Sequence, residues 1–207
     1  MDFYGYKIGG TCKEVPQLTG RYGFNVVVND QSVNGASGTA KDHKSAFLLQ
    51  QDAEAEGEIT YPLITSGNAG YSLGRMCAAW NAEHPSSPRH VLNFVDKRIP
   101  PWIKERLKVY GDVRELDLRK ARYPNNALDR LAGGDRVYRL VERLGTDGDG
   151  YRSLEQELPD ADLWFCPGGE GEMAVQLAMR ARGRKKRPKI VVVTRSDNIL
   201  VREGEFN

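Results

Sequence analysis

Strands alternating with helices along the 207 residues predict an α/β fold built on a mostly parallel sheet. Short apolar runs rich in β-branched residues, ITYPLIT at 59–65, HVLNFVD at 90–96 and KIVVVTRS at 189–196, recur between segments with helical spacing. Two strands, 59–65 and 161–166, also run straight into glycine-bracketed turns, SGNAG and PGGEG, that open helices. Open α/β sheets bind ligands beyond the carboxyl ends of their strands, so both turns are expected on the functional edge.

In order, FNVVVND at 24–30 reads as a strand running into the polar loop QSVNGASG, which delivers Lys41. Ala46, Phe47, Leu49 and Ala53 have helical spacing, which predicts a helix from Asp42 to about Glu56 with Gly57 as its stop. In the strand at 59–65, Pro62 favours an edge position or a bulge. Leu73, Met76, Cys77 and Trp80 predict a helix from Tyr71 to about Ala82. A buried strand at 90–96, a helix at 102–110 and an alternating strand at 113–118 follow. Leu128, Leu131, Val137, Leu140, Val141 and Leu144 keep helical spacing across a Gly133–Gly134 break. YRSLEQEL is a further helix, the turn at 168–171 opens another at 172–182, and the strand at 189–196 is buried in character.

Lys and Arg number 30 against 28 Asp and Glu, a net charge of +2, so nucleic acid is not an expected partner. The basic run RGRKKRPK at 182–189 follows a helix and suits a solvated helix C-terminus. No apolar run approaches a membrane span and the first residues lack the pattern of a signal peptide, so a cytoplasmic, membrane-free protein is expected. Cys12, Cys77 and Cys166 are widely spaced and have no metal-ligand pattern, which predicts reduced packing residues and no metal. His43 and His84 are read as surface or packing residues.

Two stretches carry chemistry. GTAKDHK puts Lys41 at a loop-to-helix junction, where an amine can form a Schiff base with a carbonyl compound. SGNAG puts backbone N–H groups at a helix start, a ready anion site. PGGEG has the same physics, since Gly168, Gly169 and Gly171 let a phosphate approach the backbone, while Glu170 and Glu172 oppose an anion.

The order of these motifs, a KD-containing loop after a strand, then SGNAG, then PGGEG after a later strand, resembles that of the fold type II pyridoxal phosphate enzymes, the tryptophan synthase β superfamily. The resemblance runs from about Val26 to Val193, and GYRSLEQEL is similar to the GYxTxxxEI segment of threonine synthases, with cysteine synthases sharing the three landmarks. It implies pyridoxal 5'-phosphate as cofactor and Lys41 as the Schiff-base lysine. Asn68 then meets the cofactor ring, Gly168, Gly169 and Gly171 hold its phosphate, and Thr65, Ser66, Gly67, Asn68 and Ala69 bind the substrate. His43 stands where the family has Arg, and Lys44 where a small residue is usual, which makes Lys44 a competitor for the Schiff base.

The implied architecture is α/β with two lobes, each a mostly parallel twisted sheet flanked by helices, and a ligand cleft between them. Residues 36–145 form a small lobe with the lysine and SGNAG; 1–35 plus 146–207 form an incomplete large lobe with the glycine loop, because family members continue beyond the strand matched by KIVVVTRS. The implied activity is a β- or γ-elimination or replacement on a small amino-acid substrate, by a homo-oligomer or with a completing partner chain. Two other classes stay open: a shortened, non-catalytic relative acting as a binding or assembly module, and a phosphate- or nucleotide-binding α/β protein.

Overall fold

A computed structural model of the chain describes residues 2–117, 137–138, 150–167 and 171–193. Its centre is a parallel sheet of β5 (Ile59–Ile64), β6 (Arg89–Asp96), β7 (Asp112–Leu116) and β8 (Val137–Tyr138), in the order β7-β6-β5-β8. The crossovers are α3 (Asn68–Glu83) and α4 (Pro101–Lys108), and α2 (Lys41–Gln51) precedes β5 and packs on α3. Ala46, Leu48 and Leu49 of α2, Leu73, Met76 and Trp80 of α3, and Ile59, Tyr61 and Leu63 of β5 share one core. Phe3 and Ile8, in and beside the ribbon β1 (Asp2–Phe3) and β2 (Tyr6–Lys7), close that core.

A second parallel pair, β9 (Leu163–Pro167) and β10 (Lys189–Val193), is covered by α6 (Glu172–Ala181). Trp164 and Cys166 point into a small core with Ala174, Leu177 and Ala181. The helix α5 (Arg152–Glu157) packs on α6 and α2. An antiparallel ribbon, β3 (Thr11–Glu14) with β4 (Val27–Asp30), is joined by α1 (Pro16–Tyr22), none of whose residues is buried. The fold is thus a mixed α/β one with parallel sheets flanked by helices. No helix among the described residues is long and apolar enough to cross a membrane.

Several expectations need correction. The strand expected at 24–30 starts at Val27 and pairs antiparallel with 11–14, so it belongs to no βαβ unit. The helix expected to reach Glu56 stops at Gln51, because the chain then curls its carbonyls around a buried guanidinium: Arg89 Nη2 donates to Asp52 O at 2.8 Å and Ala55 O at 2.7 Å. Pro62 lies in an interior strand without a bulge; the β8 ladder pairs only Ile59 and Thr60, so beside Pro62 that flank carries no ladder among the described residues. Val137 and Tyr138 are a strand, where their spacing suggested a helix; the rest of that helical reading lies outside the described residues. The last strand is half-exposed rather than buried, with Val193 59% exposed.

The basic run at 182–189 does structural work at two positions. Arg184 donates to Glu155 O, Leu158 O and Asp160, stacks its guanidinium over Trp164, and Lys186 pairs with Asp162 at 2.8 Å. Cys77 and Cys166 are buried free thiols, pushed up in pKa by burial, and Cys12 is exposed.

Candidate functional site

A cavity of about 450 Å³ opens at the carboxyl end of β5, between the starts of α2 and α3 on one side and residues 151, 167 and 171–173 on the other. That volume lies in the range of small-molecule sites. Lys41, Thr65, Ser66, Asn68, Ala69 and Gly171 all line it.

Asp42 builds the lysine end. Its carboxylate is 2% exposed, and a buried charge must be met by donors. The Ser37 and Gly38 N–H groups donate to it at 3.0 and 3.1 Å, Ser37 Oγ at 2.7 Å and Ser72 Oγ, from α3, at 2.6 Å. The loop before Lys41 is thereby wrapped around the helix start and tied to α3. A methyl group at Gly35 would collide with the Asp42 carboxylate, so the tight wrap requires glycine there.

Lys41 is the first residue of α2, and its Nζ donates to Tyr151 Oη at 2.9 Å. Lys44, one turn on along the same face, points to the glycine-turn end instead. Its Nζ lies 2.6 and 2.8 Å from the two carboxylate oxygens of Glu172, and both side chains are nearly buried.

His43 faces the other way and is fully buried. Its ring nitrogens meet Ser153 Oγ at 2.7 Å and Gln31 Oε1 at 3.0 Å, with Glu157 Oε2 at 3.8 Å from Nε2. Of the two readings, surface or packing, the second holds: His43 is a joint between α2, α5 and the segment after β4, and it does have a carboxylate neighbour. Burial lowers its pKa, against the opposing charges of Glu157 and Asp42.

The SGNAG turn does open α3, with Asn68 as first helical residue and exposed to the cavity. Thr65 spends its hydroxyl on the turn itself, accepting from the Gly67 and Gly70 N–H groups at 3.0 and 3.3 Å. Gly67 is buried and outside the cavity lining, while Ser66 and Ala69 face it. Gly171 caps α6 in a left-handed conformation, φ 82°, that favours glycine. Gly168 and Gly169, expected to hold a phosphate, lie outside the described residues, as does Glu170.

Motif reading missed Tyr151. It is 0% exposed, and its N–H donates to Gln176 Oε1 at 2.9 Å. The one available signal was its place at the head of GYRSLEQEL.

No protein-family model matches the chain, and no curated protein matches it by sequence. Solved structures do share its fold, and they are pyridoxal phosphate enzymes of fold type II. An O-ureido-L-serine synthase superposes with a TM-score of 0.68 at 16% identity, over 97% of this chain and 65% of that one. The cysteine synthase of Entamoeba histolytica gives 0.68 at 17%, over 95% and 61%, and a pyridoxal 5'-phosphate-dependent aspartate racemase 0.57 at 18%, over 89% and 56%. The chain therefore has the fold of the fold type II pyridoxal phosphate-dependent enzymes, and it spans 56 to 65% of the length of these three.

Proposed function

We propose that the chain is a pyridoxal phosphate-dependent lyase or synthase, acting on a small amino acid by β- or γ-elimination or replacement in the manner of threonine or cysteine synthases. One observation carries the reading: Lys41, Asn68 and Gly171, which are 27 and 103 residues apart in sequence, line one cavity at the carboxyl end of a parallel strand. The donor set fits the cofactor. Lys41 offers an amine for its aldehyde and Asn68 a carboxamide for its ring hydroxyl. The helix start at Gly171 and the Lys44 ammonium suit its phosphate, with the Glu172 charge already offset by Lys44.

When bound, pyridoxal phosphate supplies an electron sink for negative charge at the substrate α-carbon. The chain's own residues do the rest. Lys41 Nζ is the base assigned to the α-proton, and Ser66, Asn68 and Ala69, exposed to the cavity at a helix start, are assigned to the substrate carboxylate. Thr65 and Gly67 act by shaping that turn.

In this reading residues 36–145 are one lobe and 1–35 plus 146–207 the other, with the cavity between them. A second copy or a partner chain covers the open face of β9, where Leu163 is 43% and Phe165 64% exposed. The test is an absorption spectrum of the purified protein with added pyridoxal phosphate. A band at the edge of the visible, lost in Lys41→Ala and kept in Lys44→Ala, supports the assignment. Its absence in the unaltered protein overturns the enzyme reading in favour of a binding or assembly module.

A further inference from the structure

We propose that Tyr151 is a positioning residue: its hydroxyl holds the Lys41 amine at the cavity wall, while the Glu172 carboxylate ties the Lys44 amine into an ion pair. This deepens the reading above and rests on it for the role of Lys41.

The two lysines sit three residues apart on one face of α2 and line the same cavity, so position alone does not rank them. Their partners do. A hydroxyl both accepts and donates, so Tyr151 Oη can accept from an ammonium and donate to a neutral amine. Lys41 therefore keeps its 2.9 Å contact in either protonation state. A carboxylate only accepts, and loss of the Lys44 proton would strand the Glu172 charge in a nearly buried setting. Among the described residues no carboxylate oxygen comes within ion-pair distance of Lys41 Nζ. Asp42, its neighbour in sequence, is turned toward Ser37, Gly38 and Ser72.

The Tyr151 ring is not free to leave. It is 0% exposed, its backbone N–H is held by Gln176, itself 3% exposed, and its ring centroid lies 5.6 Å from Lys41 Nζ. Tyr151→Phe keeps these features and removes the hydroxyl alone.

The test uses the protein without cofactor. It is treated with acetic anhydride between pH 7 and 10, and acetylation of Lys41 and Lys44 is followed by peptide mass spectrometry. In the unaltered chain at pH 8, Lys41 is expected to react about tenfold faster than Lys44, whose amine must first leave a nearly buried ion pair. Tyr151→Phe frees the Lys41 amine of its hydrogen bond, so its labelling rises about fivefold while that of Lys44 stays. Glu172→Gln raises the Lys44 rate about tenfold.

Equal rates for the two lysines in the unaltered chain, or a Lys41 rate unmoved by Tyr151→Phe, overturn the proposal. If Tyr151→Phe fails to fold by circular dichroism, the unaltered rate ratio and Glu172→Gln decide. A missing cofactor band with the labelling order intact rejects the enzyme reading and leaves this inference standing.

Discussion

The two walls of the cavity differ in how they are held up. On the α2–α3 side, β5 buries five of its six residues in sequence, Ile59 to Leu63, and β6 buries Val91 through Val95. On the opposite side β9 alternates, with Trp164 and Cys166 inward and Leu163 and Phe165 out to solvent, and β10 is half-buried at best. The first wall has covered faces and its own polar clamps. The second has the Arg184 clamp and is otherwise held by side chains reaching across: Lys41 to Tyr151, His43 to Ser153 and Lys44 to Glu172. Chemistry placed between such walls depends on the weaker one for geometry and on the stronger one for stability.

The largest effect should come from the stronger wall. Arg89→Ala removes a guanidinium bonded to the carbonyls of Asp52, Ala55, Gly57 and Ser87 and stacked on Trp80. It should cost roughly 3–5 kcal/mol in urea unfolding, because several buried carbonyls lose their donor and a cavity opens.

Asp42→Ala comes next, at about 2–3 kcal/mol, because four donor groups lose their acceptor. Hydrogen exchange should speed up at the Ser37 and Gly38 amides ahead of those of α3. Simultaneous loss everywhere would mean the loop is not a separate unit.

Arg184→Ala should cost about 1–2 kcal/mol and loosen α5 and β9 alone, since its bonds all end on 155–160. Equal loss of protection in β5 and β6 would break the distinction between the walls.

The smallest effect is a pH dependence at the joint. The His43 pKa is lowered by burial below its ordinary 6.5, so in acid the unfolded chain binds a proton that the folded chain refuses. The His43 contribution is present in full above pH 6.5 and falls as the pH drops below it, an effect that His43→Gln should reduce. Thermal unfolding from pH 7.5 to 5.5 measures it, and identical slopes for both proteins would remove His43 from the account.

What could be read from sequence followed the same division. The strands at 59–64 and 89–96 announce themselves as continuous apolar runs, and Lys41 and SGNAG by motif. β3 carried no signal, because TCKE is exposed at all four positions and has no apolar face to pattern. Val137–Tyr138 misled, since two residues of strand inside VYRLVERL fit a helical period equally well. At the site, Asp42 read only as the start of a helix and Tyr151 only as part of GYRSLEQEL. Their roles are set by Ser72 and Lys41, 30 and 110 residues away, and periodicity is blind to partners at that range.

Those long separations also govern when the site can exist during synthesis. Lys41, His43 and Lys44 leave the ribosome ahead of their partners, which follow 110, 110 and 128 residues later, and Gly10 waits 147 residues for Glu157. At about 5–20 residues per second, the lysine helix spends roughly 6–25 s without the groups that distinguish its two amines. During that interval Lys44 has no carboxylate to restrain it and Lys41 no hydroxyl to hold it. Tyr151 arrives first and Glu172 later, and with Glu172 in place each amine has its own partner.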